Sequence, residues 1–385
     1  MRWESQRAGH RPGSGPESAK APADPMLPGM PLLQGFQRSV RPPEFAGVTF
    51  HEVHAKSVLN KVPPRSAVPF RYTVNPYRGC SHACVYCFAR NTHSYLDFDA
   101  GRDFDSQIVV KTNAAQVLRR EVSKPGWQRE HVAMGTNTDP YQRAEGRYAL
   151  LPGIISALAD SGTPFSILTK GTVLARDLPL LTEAAGQVPV GIGISLALLD
   201  PELQRGLEPG TPTPKARLQL ISKIRDAGLP CGVFMAPLLP GLSDSAEQIE
   251  ALARQLADAG ATGISGISLH LRPGAREWFM AWLARRHPEL VDRYTELYRG
   301  GSYLPKSYRS QVQARIAAAR RTVGSTSFSN PLPDASASRP AARGVPGDAS
   351  ARFPDGSLPP PAARHTNSEP RQAGGSVAGE QLRLI

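Results

Sequence analysis

Short apolar runs alternate with helix-like patterns through the middle of this 385-residue chain, and that alternation narrows its fold more than any other feature. Runs at Ile108–Lys111, His131–Gly135, Phe165–Thr169, Val190–Leu196, Cys231–Ala236 and Ile264–Leu271 read as strands. Ala114–Val122, Leu151–Ala159, Ala175–Ala185, Lys215–Ala227, Ser245–Ala259 and Ala275–Arg286 read as helices. Gly, Pro or Asn bounds the strands, Asp244-Ser245 makes a helix start, and Gly228 and Gly260 make helix stops. Repeated βα units predict an α/β fold with a parallel sheet, curled into a full or partial barrel or left open and doubly wound. Pro288–Arg299 and Ser307–Arg320 read as two more helices packed on it.

The ends differ in composition. Residues 1–45 and 325–385 are rich in Pro, Gly, Ser and charge, without sustained periodicity, and are expected to be disordered tails around one folded unit of residues 46–324. Net charge is +12, and it does not come from the tails: residues 46–324 hold 33 basic and 24 acidic residues, an excess of +9. A basic folded unit favours polyanions such as nucleic acid; the plainer reading is a general richness in Arg. No apolar run approaches the ~20 residues of a membrane span. Met1-Arg2-Trp3-Glu4-Ser5 has no apolar stretch behind it and does not read as a signal peptide. A reducing cytoplasm is the expected location, and with four cysteines in the whole chain a disulfide framework is not expected.

Three of those cysteines stand in one loop, Gly79-Cys80-Ser81-His82-Ala83-Cys84-Val85-Tyr86-Cys87-Phe88, spaced CxxxCxxC. Three thiolates can ligate three irons of a 4Fe-4S cluster and leave the fourth iron open to a ligand that is not protein. The competing readings are a zinc site of the three cysteines with His82, or thiols with no metal. Zinc sites of that kind usually come in pairs, and this chain has one such loop.

The loop resembles the signature of the radical SAM superfamily. The longer string Asn75-Pro76-Tyr77-Arg78-Gly79-Cys80 through Cys87-Phe88-Ala89-Arg90 is similar to a narrower group related to spore photoproduct lyase, the DNA repair photolyase-like proteins. Gly135-Thr136-Asn137-Thr138-Asp139-Pro140-Tyr141-Gln142, Leu168-Thr169-Lys170 and Glu208-Pro209-Gly210 extend the likeness, which runs from about Phe70 to about Arg320. It implies a partial (β/α)6 barrel of the radical SAM type. It implies a 4Fe-4S cluster on Cys80, Cys84 and Cys87, with S-adenosyl-L-methionine (SAM) chelating the open iron. One electron, from a donor such as reduced flavodoxin or ferredoxin, would cleave SAM to a 5′-deoxyadenosyl radical. A nucleic-acid substrate is the first expectation; a peptide or small metabolite is the alternative, as is a non-catalytic iron–sulfur or zinc protein.

In parallel α/β folds ligands bind at the carboxyl ends of the strands, where the informative residues fall. On the likeness, Lys170 would neutralise the SAM carboxylate, Thr136 or Asn137 would accept from its amino group, and Tyr86 would face its adenine. Ser195 and Glu208 are candidates for the ribose hydroxyls; otherwise Ser195 ends a strand, and Glu208 caps a helix or pairs with Arg205. Residues 135–142 are read as partly SAM and partly substrate contact. His270 is a proton shuttle or a core histidine. Spore photoproduct lyase uses a hydrogen-donor cysteine in the stretch after its cluster. Here Phe88 to Ser166 has no cysteine, Cys231 opens a strand at the wrong end, and Tyr141 is the remaining candidate catalytic residue.

Overall fold

The computed structural model describes residues 35–63 and 68–324. In chain order its strands are β1 (Phe36–Val40), β2 (Thr49–Val53), β3 (Leu59–Lys61), β4 (Tyr72–Val74), β5 (Tyr77–Arg78), β6 (Gln107–Lys111), β7 (Val132–Met134), β8 (Phe165–Thr169), β9 (Val190–Ser195), β10 (Gly232–Leu238) and β11 (Gly263–Ser268). The helices are α1 (Arg102–Ser106), α2 (Ala114–Val122), α3 (Arg143–Tyr148), α4 (Leu150–Asp160), α5 (Leu178–Ala185), α6 (Pro201–Leu207), α7 (Pro214–Asp226), α8 (Ala246–Asp258), α9 (Ala275–Arg286), α10 (Val291–Leu297) and α11 (Lys306–Thr322).

Six strands, β4 and β7 to β11, pair in parallel and in chain order, and β3 adds an antiparallel edge to β4. The pairing order ends at β11 on one side and β3 on the other, as a partial barrel requires. Helices α4, α5, α7 and α8 make the crossovers between successive strands from β7 to β11, and α11 packs on α8 and β11. The apolar interior joins strand residues Ile167, Ile192, Ile194 and Val233 to helix residues Ile154, Leu158, Leu181, Ile221 and Leu252. Each helix contributes its i, i+3, i+4 stripe; in α7 the buried set is Pro214, Arg217, Leu220, Ile221 and Ile224.

Strand register decides what meets at the carboxyl ends. Leu168 pairs with Gly193, and Gly232 with Gly193 in turn; Phe234 pairs with Ser195. Successive side chains alternate faces, so Ser166, Leu168 and Lys170 share one face with Gly191, Gly193 and Ser195, and with Gly232 and Phe234. The glycines keep the lower part of that face thin. The polar and aromatic side chains stand at its top.

Several expectations are corrected. Ile108–Lys111 is a strand, but β6 lies in a separate four-stranded sheet, ordered β1-β2-β6-β5. Part of the expected N-terminal tail is folded. Residues 36–40 form β1, whose polar Phe-Gln-Arg-Ser-Val sequence has no apolar run to announce it. It is held by pairing with β2, by Arg38 on Glu52 at 2.8 Å and by Ser39 against His51 at 2.8 Å. Ala175–Ala185 opens with a 3-10 turn at Thr172–Asp177 before α5, and Pro288–Arg299 with another at Pro288–Leu290 before α10. Pro43–Phe45 adds a 3-10 turn that buries Phe45 in the main core; the rest of the expected tails, residues 1–34 and 325–385, lies outside the described residues. Among the described residues no helix is long and apolar enough to cross a membrane.

Gly135 ends β7 with φ of +86°, and a Cβ there would overlap the carbonyl oxygen of Leu168. Gly135→Ala therefore combines left-handed strain of about 1–2 kcal/mol with a backbone collision. We expect the unfolding free energy to fall by at least that amount, read as a lower urea midpoint at unchanged m; an unchanged midpoint would show that β7 and β8 can separate freely here.

Candidate active site

The three-cysteine loop follows β5 and lies over the carboxyl ends of the parallel strands. Cys80, Cys84 and Cys87 are free thiols and line one cavity. Lys170, Ser195, Phe234, Ala236, Ile267 and Leu269 from β8 to β11 form its opposite wall, with Asn137 and Thr138 between. Burial pushes all three thiols up, so a cationic partner is needed to hold them as thiolates. Among the described residues no three His, Cys, Asp or Glu side chains converge on one point as a single ion requires. A cubane needs no such convergence, because each thiolate takes a different iron. His82 lines the cavity as well, with its Nδ1 3.3 Å from the Asp139 carboxylate, a contact that orients Nε2 and does not by itself remove it from a zinc role. The donor set thus fits a three-thiolate cluster better than one metal ion.

Long-range contacts hold the loop. Arg90 is fully buried; its Nε and Nη2 donate to the Cys84 carbonyl at 3.1 and 2.9 Å, and Nη2 also reaches Asp105 at 2.9 Å. Gln142, also fully buried, accepts from the Ser81 amide at 2.9 Å and donates to the Gly79 carbonyl at 3.1 Å. From the far side the Gly210 amide donates to the His82 carbonyl at 3.0 Å, and the Val85 amide to Leu207 at 2.9 Å. A Cβ at Gly210 would overlap the Ser81 carbonyl, so Glu208-Pro209-Gly210 is a seat for the loop.

Lys170 Nζ donates to Ser195 Oγ at 2.7 Å, as the shared strand face requires, and lies 3.9 Å from Glu208. The Ser195 hydroxyl in turn donates a hydrogen bond to the Ala236 carbonyl at 3.2 Å. Tyr86 places its ring 6.0 Å from Lys170 Nζ and its hydroxyl on Glu208 Oε1. Behind them Glu208 is buried, ion-paired with the equally buried Arg217 and bonded to Thr211 at 3.2 Å. Burial alone would raise its carboxyl; Arg217 first, then Lys170, outweigh that and hold it down to about 2. Asp139 behaves alike: burial is outweighed by His82 and by the Lys170 amide at 2.7 Å, so its carboxyl stays below its ordinary value.

The structure therefore divides the sequence candidates. It brings Cys80, Cys84, Cys87, Tyr86, Asn137, Lys170 and Ser195 onto one cavity. Thr136 is half-buried and does not line it. Glu208 does not reach it either, because Tyr86 and Arg217 consume the carboxylate; its pairing with Arg205 is also excluded, since Arg205 meets Glu202. Tyr141 is fully buried in the main core, with its hydroxyl donating to Asp177 at 3.1 Å, and does not line the cavity. Residues 135–142 are divided: Gly135, Asn137, Thr138 and Asp139 line the cavity, while Tyr141 and Gln142 act as scaffold. Cys231 is a fully buried core thiol pushed up to about 12 by burial. His270 lines the cavity, with burial and then Arg272 lowering its basicity. Sequence reasoning missed Arg217 and Phe234. An arginine on the apolar stripe of α7 was the available signal for the first, and the face shared with Ser195 for the second.

The radical SAM superfamily model matches residues 74–257. An uncharacterised protein of Mycobacterium tuberculosis is 66% identical over 294 residues, covering 76% of this chain and 86% of the relative. An uncharacterised protein of the Acidianus two-tailed virus is 30% identical over 234 residues, covering 57% and 76%. Among solved structures, spore photoproduct lyase complexed with dinucleoside spore photoproduct superposes with a TM-score of 0.52 at 15% identity, over 71% of this chain and 79% of that one. That last likeness is one of fold.

Arg217→Met would leave the Glu208 carboxylate buried without its main counter-charge, a loss of about 3–5 kcal/mol. The paired change Arg217→Met with Glu208→Leu should recover much of it, because no unpaired charge is then left inside. Denaturant unfolding of the two variants measures this, and equal stability of both would show that the pair is not coupled.

Proposed function

The chain belongs to the radical SAM superfamily, and from that premise we propose an enzyme that holds a 4Fe-4S cluster on Cys80, Cys84 and Cys87 and cleaves SAM reductively. The observation that carries the reading is the meeting of three free thiols with the Lys170–Ser195 pair across one cavity. A purely structural iron–sulfur or zinc protein has no use for that pair. Cys80, Cys84 and Cys87 would hold the cluster, and with SAM bound beside it the group would supply one-electron reductive cleavage of the sulfonium and radical hydrogen-atom abstraction.

The protein's own residues bind, orient and exclude water. Lys170 is the proposed cation for the SAM carboxylate. Ser195, beside it, holds the ammonium group in place and offers its oxygen to a ribose hydroxyl. Asn137 is the proposed acceptor for the amino group, and the Tyr86 ring the wall for the adenine. Phe234, Ile267 and Leu269 make the rest of the chamber apolar, which keeps water from a reactive carbon. The thiols call for a reducing compartment, and reduced flavodoxin or ferredoxin is the proposed electron donor.

Nucleic acid is the proposed substrate class. The +9 excess over residues 46–324 favours a polyanion, and the likeness to the spore photoproduct lyase group points the same way. The test is whether single- or double-stranded DNA or RNA raises the rate of 5′-deoxyadenosine formation by the reconstituted protein. Acceleration by a peptide or metabolite and not by nucleic acid would redirect the substrate assignment while leaving the SAM chemistry intact.

Anaerobic reconstitution should give a brown protein with four irons per chain on the cubane reading. Cys84→Ala should lose most of that iron and Cys231→Ala none. Full iron and sulfide in Cys84→Ala would sink the ligand assignment. Lys170→Ala should weaken SAM binding about ten-fold or more, since a charge-assisted bond contributes roughly 1.5–3 kcal/mol. Equilibrium dialysis with labelled SAM reads this directly, and an unchanged affinity would move the carboxylate elsewhere.

A further inference from the structure

A chain of rings leads out of the cavity. The Arg272 guanidinium lies over the Phe88 ring at 5.6 Å, Phe88 lies 5.7 Å from His270, and His270 stacks on Tyr303 at 5.7 Å with an interplanar angle of 22°. Phe88 and His270 line the cavity; Tyr303 does not. The row therefore runs from the wall of the reaction chamber to the surface, and its outer members are open: Phe88 is 38% and Tyr303 48% exposed. The described residues include only two other large apolar side chains that exposed, Val68 and Tyr95.

The row is also fixed. Phe88 follows the last cysteine directly. His270 and Tyr303 are joined by a backbone bridge, and the Leu271 amide donates to Ser302 at 2.8 Å. An ordered aromatic face loses little entropy on binding a flat ring, and every base has a π-face to offer it. Charge selects among flat partners: Arg272 is exposed beside the row, on a folded unit with an excess of +9. A strand of nucleic acid supplies both the ring and the anion, whereas an aromatic peptide side chain supplies only the ring.

We propose that this row docks an unpaired base of a nucleic-acid strand on Tyr303, with Arg272 on a nearby phosphate, so that a neighbouring nucleotide enters the cavity past Phe88 and His270. This rests on the nucleic-acid reading above and narrows it to single-stranded or locally opened substrate. In a closed duplex the base faces are covered by their neighbours and cannot stack on protein.

The test is fluorescence anisotropy on the reconstituted full chain with three labelled probes: a single-stranded DNA oligonucleotide of mixed sequence, its duplex, and an abasic strand of equal length. Wild type should bind the single strand most tightly. Tyr303→Ala should weaken that binding roughly ten-fold, to near the level of the abasic strand, while abasic binding stays unchanged. Tyr303→Phe, which keeps the ring, should bind like wild type. Arg272→Ala should weaken all three probes and flatten their salt dependence. Iron content equal to wild type shows that the half-exposed position tolerates the change. Single-strand affinity untouched by Tyr303→Ala would overturn the platform and leave the nucleic-acid reading standing. Duplex binding as tight as single-strand binding would overturn the requirement for an unpaired base. Failure of wild type to bind any probe would overturn both readings.

Discussion

Glu208 is a carboxylate with almost no water, shared by Arg217, Tyr86 and Thr211 and faced by Lys170. Burying one charge alone is costly, and a matched pair with its remaining hydrogen bonds filled offsets much of that cost. Because the pair is complete, the site can place a lysine beside it with little added expense. The carboxylate attracts the ammonium group, Ser195 catches it at 2.7 Å, and the cation stands ready at the cavity wall. The same carboxylate takes the Tyr86 hydroxyl and so sets the ring two residues beyond Cys84. One buried anion thus orients groups on the three-cysteine loop, on β8 and on β9.

The loop itself is built from outside. Cys84, Val85 and Tyr86 pack into the cluster around Leu207, Phe279 and Leu283, but the loop's backbone amides and carbonyls need partners of their own. Arg90, Gln142 and the segment through Gly210 supply them from three directions. The thiols are therefore held near one another by neutral and charged hydrogen bonds that do not involve metal. Such a frame limits the ordering that cluster assembly must impose. It also gives part of residues 135–142 a use that differs from ligand contact: Gln142 holds Gly79 and Ser81, and Asp139 holds His82.

The cavity combines opposite demands. Its floor of small and apolar strand residues excludes water, and its rim carries an exposed row of rings and an arginine. These lie on the carboxyl side of the sheet because that is where loops from separate strands converge. The four-stranded sheet stands apart from this chemistry. It covers the flank of the loop, with Phe104 and His93 packed edge to face behind Gly79 and Cys80.

Local features were legible from the sequence. Strand and helix periods placed five of the six parallel strands, β7 to β11, and the crossovers between them, because burial on a face imposes a fixed spacing. The cysteine motif was legible because its members share one loop. Lys170 and Ser195 could be placed at strand ends, since alternation alone decides their face. What tertiary structure decided is where side chains point once the chain leaves a regular element. Tyr141 lies two residues from Asp139, yet its ring goes down into the core towards Asp177. Glu208 and Arg217 are separated by a turn and find each other only because α7 docks against the sheet. The polar strand β1 exists only through its pairing with β2. The rings of Phe88, His270 and Tyr303 come from three distant segments, and no spacing rule links them. Periodicity reports which face of an element is buried; the partner that covers it is chosen by packing of the whole chain.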